Sequence, residues 1–201
     1  MLFNSQFLKT ILEGFSDNLC AHSRNVCYLS VKVAEQAGFD KQQIKTLAIG
    51  ALLHDIGKSC IDEGLINKPG KLTQEEFSMI RQHTSLGATI INSFENCEDY
   101  LPIILYHHER WDGKGYYGLQ GEDIPELAGI VSVVDAFDAM TSPRPYQKIK
   151  TITEALKELQ NHKGLQFSPH LVDVFEISML NIIKDINTVD FYQEISRLID
   201  E

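Results

Sequence analysis

The sequence has no basic surplus. Its 18 lysines and arginines face 28 aspartates and glutamates, for a formal net charge of −10. That balance argues against holding long nucleic acid on an extended basic surface. A small phosphorylated ligand stays open, because bound divalent cations make a site locally positive whatever the charge elsewhere. Long hydrophobic runs are also missing. The strongly apolar stretch from Ile130 to Val134 stops at Asp135, far short of the roughly 20 residues of a membrane helix. The N-terminal segment lacks the basic, apolar and small-residue regions of a secretory signal. The four cysteines, Cys20, Cys27, Cys60 and Cys97, show no C-x-x-C spacing. This points to reduced thiols in a cytoplasmic protein, and away from a disulfide scaffold or a structural zinc site.

Alternating strand patterns are nearly absent, and there is no internal repeat or low-complexity segment. What remains is helical. The 201 residues, 43% of them hydrophobic, suit one compact all-α domain with a substantial core. Phe3, Phe7, Ile11 and Phe15 mark one face of an N-terminal helix. A second pattern follows His22 through Val26, Leu29, Val33 and Ala37, and ends at Gly38. A third, over residues 41–57, carries Ile44, Leu47, Ala48, Ala51 and Leu52 into His54-Asp55-Ile56-Gly57. A loop rich in Gly, Pro and Lys follows from Ser59 to Leu72. Thr73-Gln74-Glu75-Glu76 is a capping box and predicts a helix carrying Phe77, Ile80 and His83. Helices over Leu101–His108 and Leu127–Met140 bracket the glycine-rich segment 112–118. Thr151 to Glu154 forms another capping box, and Ser168-Pro169 starts a further helix. The segment from Asn187 to Glu201, with Ile195, Leu198 and Ile199, reads as a short acidic amphipathic helix that caps the core or mediates a dimer.

Five of the seven histidines, His22, His54, His83, His107 and His108, fall on or at the ends of these helices. A single histidine on an apolar face is usually a hydrogen-bonded core residue. The pairs His54-Asp55 and His107-His108 are harder to dismiss, since each lies where a helix gives way to a glycine-containing turn. Adjacent helical residues point about 100° apart, so such pairs reach one centre only near a helix end, or serve two metal ions. Asp135 interrupts an apolar run on its helix, and a buried carboxylate needs a partner. A salt bridge is the bland choice; metal ligation beside the histidines is the alternative. Imidazole with carboxylate suits iron, manganese, zinc, cobalt or nickel. Lys58 stays close to His54-Asp55, placed to meet phosphate or simply to face the helix dipole. Trp111, Tyr116 and Tyr117 offer flat surfaces for a base, or anchor a surface loop.

Read together, HDIGK at 54–58, HTSLG at 83–87 and HHERWDGKGYYG at 107–118 resemble the HD-GYP subgroup of the HD-domain phosphohydrolases. The likeness extends to His22-Ser23-Arg24, the NKPGKLT loop at 67–73, VVDAFDAMTSPRPY at 133–146 and GLQFSP at 164–169, and so covers residues 20–176. An N-terminal helix over about 1–20 and a helical extension over 177–201 complete the expected single domain. The resemblance implies hydrolysis of cyclic di-GMP to linear pGpG and then GMP, by a hydroxide held between two divalent metals, iron or manganese first. His22, His54, Asp55, His83, His107, His108 and Asp135 would be the ligands, with Asp55 bridging. Asp55 and Lys58 would be catalytic. Lys58, Arg144, Tyr116 and Lys114 would meet substrate.

Three positions depart from the family pattern. The signature reads Gly115-Tyr116-Tyr117, without its proline; Gln147 replaces a phosphate-binding lysine; and Asn18 stands where members with three metals carry glutamate. Two metals are therefore expected. A non-catalytic module that binds cyclic di-GMP or docks a protein is one alternative, and an HD hydrolase for another cyclic dinucleotide or nucleotide is a second. A homodimer or a regulatory partner protein is the expected assembly, and the chain either stands alone, is an excised fragment, or receives its signal from a partner.

Overall fold

The computed structural model describes residues 3–143, 149–185 and Ile199. Among them are ten α-helices and no strand; a lone bridge joins Lys163 and Phe167. The core is organised by α2 (Asp17–Ala37), α3 (Lys41–Leu53) and α8 (Glu126–Thr141). Every residue of α3 from Thr46 to Leu53 is buried, as expected of a helix surrounded on all sides. Helix α2 packs on α3 and α8, and α10 (Pro169–Asp185) lies against α2 and α8. Helix α1 (Ser5–Glu13) turns its Leu8 and Leu12 inward, and α9 (Ile152–Asn161) packs on α8 through Ala155 and Leu159. Because α2, α3 and α8 share this core, His22, His54 and Asp135 are brought to one place.

Several boundaries differ from the sequence expectation. Helix α2 begins at Asp17, with the Ser16 side chain accepting from the Leu19 N–H, so His22 lies inside the helix. The N-terminal helix is correspondingly shorter than 1–20. The expected 41–57 helix stops at Leu53 and gives way to a 3₁₀ turn over Ile56–Cys60. Gly57 shows why the chain turns there. A Cβ on it would sit 1.9 Å from the His83 carbonyl oxygen, so only glycine lets this turn press against α6 (His83–Ile91). The expected loop 59–72 contains the one-turn helix α4 (Glu63–Ile66), capped by Asp62.

The helix expected from Thr73 through His83 is split. Its capping box forms, but α5 ends at Arg81 and α6 starts at His83. The side chains of His83, Thr84 and Ser85 bond to the carbonyls of Ile80, Arg81 and Gln82 respectively. Such local bonds compete with the helical ladder. Helix α7 (Leu101–Tyr106) likewise ends before His107-His108. Arg144 and Gln147, and most of the expected C-terminal helix, including Ile195 and Leu198, lie outside the described residues. Ile199 is buried and belongs to the core.

Candidate metal centre

Three histidines share one device. His54, His83 and His107 each direct Nδ1 to the carbonyl three residues earlier, on Ala51, Ile80 and Ile104, at 2.7, 2.7 and 3.0 Å. These carbonyls are left over where a helix ends or breaks. Donating from Nδ1 leaves the Nε2 lone pair of each ring free, which is the ligand tautomer. His22 differs, since its Nδ1 meets the Asp138 carboxylate at 2.7 Å.

The donor atoms gather into two groups. Asp55, His83, His107 and His108 form one, and His22, His54 and Asp135 the other, each with its donor atoms within 4.8 Å of one another. Opposite ligands of one ion with bonds of about 2.1 Å would be about 4.2 Å apart, so either group is able to close on a cation. Asp55 stands between them. Its Oδ1 is 3.4 Å from His83 Nε2 and 4.0 Å from His107 Nε2, and its Oδ2 is 3.3 Å from His54 Nε2 and 3.6 Å from His22 Nε2. His54 Nε2 and Asp55 Oδ1 are buried with no hydrogen-bond partner. Buried polar atoms are seldom left so, and a divalent cation satisfies both. The donor set fits metal.

Electrostatics separate the two groups. Burial holds His107 well below the usual histidine range, helped by His108 and His54, and it pushes His108 down to about 4 and lowers His83. These rings are neutral near pH 7 and ready to ligate. Burial also acts on His22, but its contacts with Asp135, Asp138 and Asp55 outweigh this and raise it well above the ordinary value. For Asp55 burial works against ionisation, yet Lys58, His54 and His22 together hold it well below the usual carboxylate range. Asp135 is held down in the same way, chiefly by His22.

The structure brings all seven expected ligands together. Lys58 joins them by donating its ammonium to Asp55 Oδ2. Tyr116 packs against His108, ring centroids 4.8 Å apart, with the Arg81 guanidinium 4.5 Å above its ring. Burial pushes its phenol up to about 12, so it stays protonated. Lys114 stands apart: its side chain is 79% exposed and its carboxylate neighbour is Asp112, at 3.8 Å. A cleft of about 750 Å³ opens beside the second group, lined among others by Phe15, Asn18, His22, Lys58, Asn67 and Asp138.

Two residues were not found by sequence reasoning. Asp138 is buried and also accepts from Asn25 at 2.9 Å and Ser142 at 2.8 Å. Its spacing of three from Asp135, one helical turn on, was the available signal. Glu109, buried directly after the histidine pair, accepts the backbone N–H groups of Tyr117 at 2.6 Å and Leu119 at 2.7 Å. A carboxylate ahead of a glycine-rich loop hinted at this use.

Fold and site together define a class: an all-helical domain built around a paired histidine–aspartate centre able to hold divalent metal. The HD domain family matches residues 6–171, and the chain belongs to it, with the resemblance to the HD-GYP subgroup borne out. A "Cyclic di-GMP phosphodiesterase" of Thermotoga maritima is 40% identical over 171 residues, 84% of this chain and 45% of that protein. A "3'3'-cGAMP-specific phosphodiesterase 2" of Vibrio cholerae is 32% identical over 170 residues, 83% of this chain and 33% of that protein. Among solved structures, Bd1817, a HDG"Y"P protein from Bdellovibrio bacteriovorus, aligns with a TM-score of 0.66 at 26% identity, covering 90% of this chain and 58% of that one. The chain thus spans less than half the length of these two curated relatives. No helix among the described residues is long and apolar enough to cross a membrane.

Proposed function

We propose that this chain is a metal-dependent phosphodiesterase that cleaves cyclic di-GMP to pGpG, and to GMP on a second cut. One observation carries the reading: the two oxygens of Asp55 face two separate groups of ligand atoms. That is the arrangement a two-ion centre requires, with Asp55 bridging, His83, His107 and His108 on one side, and His22, His54 and Asp135 on the other. Iron or manganese is the first choice for such a donor set, followed by zinc, cobalt or nickel. When bound, the ions supply Lewis acidity and a water of lowered pKa.

The remaining work falls to the chain itself. Lys58 borders both Asp55 and the cleft, so its ammonium is placed to orient a phosphate or to protonate the departing oxygen. Arg144 follows directly on Pro143 of the cleft wall and is assigned to phosphate by the family pattern. Tyr116, held over His108, shapes the side of the pocket on the first group. Lys114 at the surface is given at most an outer role in attracting an anionic substrate. The cleft volume of about 750 Å³ is within the range of small-ligand sites. The four cysteines are unpaired, which supports the cytoplasm as the place of action.

A second reading keeps the chemistry and changes the substrate to another cyclic dinucleotide. Tyr117 in place of proline favours it, as does the likeness to a relative named for 3'3'-cGAMP. The experiment is elemental analysis of the purified protein, paired with turnover of each dinucleotide after anaerobic loading with iron or manganese. Two ions with pGpG formation support the main reading. Two ions with cleavage of 3'3'-cGAMP alone support the second, and a metal-free, inactive protein ends both.

A further inference from the structure

Tyr117 makes two bonds that a proline cannot make. Its backbone N–H donates to the buried Glu109 carboxylate at 2.6 Å, and its hydroxyl lies 2.9 Å from Thr84 Oγ1. Thr84 already donates its single hydroxyl hydrogen to the Arg81 carbonyl at 3.2 Å, so the Tyr117 hydroxyl is the donor to Thr84. Arg81 closes the circuit, since its guanidinium donates to the Tyr116 carbonyl and covers the Tyr116 ring. The Tyr117 ring also packs edge-on against Tyr106, centroids 5.6 Å apart.

The position of this circuit gives it a consequence. Thr84 is fully buried and directly follows His83 at the start of α6. Tyr106 and Glu109 flank His107-His108 at the end of α7. The Tyr117 side chain therefore ties the element carrying His83 to the element carrying His107 and His108. Among the described residues nothing comparable connects it to His22, His54 or Asp135, which ride on or beside α2, α3 and α8.

We infer that Tyr117 is a positioning residue for one half of the centre: its hydroxyl, through Thr84, sets the spacing of His83 against His107 and His108. The inference rests on the two-ion reading above and predicts an asymmetry within it. The other half should not respond to Tyr117.

The test compares wild type, Tyr117→Phe, Thr84→Val and the double variant by stepwise chelator competition with manganese, read by elemental analysis. In Tyr117→Phe one ion of the two should be released at roughly 10-fold lower chelator concentration, in line with the loss of an outer partner of a ligand; the second ion should leave as in wild type. Thr84→Val should match it, the double variant should lose no more than either single one, and Thr84→Ser should restore wild-type behaviour. Amide hydrogen exchange of the metal-free protein adds a readout independent of ions, with faster exchange over residues 82–86 expected in Tyr117→Phe. Equal weakening of both ions, additive losses in the double variant, or unchanged binding with unchanged exchange would each overturn the inference. Wild type that binds fewer than two ions would instead bring down the two-ion reading, and this inference with it.

Discussion

The two halves of the centre share one histidine device and differ in what surrounds it. In the half formed by His83, His107 and His108 the first two rings are buried, all three are neutral near pH 7, and two Nδ1 atoms are held by main-chain carbonyls. The half formed by His22, His54 and Asp135 keeps one such bond, at His54, but reaches the cleft through His22, whose pKa is raised by Asp135 and Asp138. Main-chain support cannot change with conditions short of unfolding, whereas a carboxylate–imidazole pair adds negative charge behind the ligand and strengthens its basicity. One half is a fixed seat. The other places a carboxylate-backed donor, His22, at the cleft, and Asp55 alone belongs to both.

The largest expected effect comes from removing that shared residue. Asp55→Ala should strip both ions and all turnover together, measured by elemental analysis and product formation; a variant that keeps one full equivalent of metal would contradict the bridging role. Next, His107→Ala and His22→Ala should each cost one ion, and a different one, so that combining them leaves none. Asp138→Asn should then weaken the His22 half by roughly 10–100-fold in metal affinity while sparing its neighbour. The smallest effect is at Lys114. Lys114→Ala should leave stability unchanged within about 0.5 kcal/mol and shift KM only at low ionic strength.

The same contrast has a pH signature in the metal-free protein. His107 and His108 titrate below the unfolded histidine value of about 6.5, His108 at about 4. Between those values the unfolded chain binds more protons than the folded one. Their stabilising contribution is thus complete above about pH 6.5 and is lost as the pH falls toward 4. His22 is raised, so its contribution is complete below about 6.5 and is lost as the pH rises through its folded value. The Tm of chelator-treated protein should therefore fall on going from pH 6.5 to 4.5. Replacing His107 and His108 by Gln should flatten that slope; an unchanged slope would mean the buried half is not its source.

The residues gathered at the centre were readable in the sequence because metal chemistry permits few residue types and the adjacent pairs occur at helix ends. The core helices were readable for a similar reason, since α2, α3 and α8 carry long apolar patterns. The supporting residues were not. Asp138 looks like an ordinary helical acid until tertiary packing brings α2 beside α8 and puts His22 against it. The break at Gln82 was hidden because the capping box at Thr73 and the apolar spacing of Phe77 and Ile80 both favour a continuing helix. What stops it is the capture of three carbonyls by His83, Thr84 and Ser85, which short-range propensity does not weigh. Arg144 and Gln147 rest on the sequence alone.

The repeated bond from a histidine Nδ1 to the carbonyl three residues back makes the metal seat a matter of punctuation. His54, His83 and His107 are each aimed by a bond to a carbonyl left where a helix stops or breaks. Core residues facing away from these helix ends are therefore free to drift in evolution so long as the stops stay in place. A single-residue insertion in α3 or α7 near its last turn, by contrast, would rotate a ligand out of the centre while leaving every ligand present in the sequence. Such a chain would still carry the family's motif and would lose at least one of the two ions.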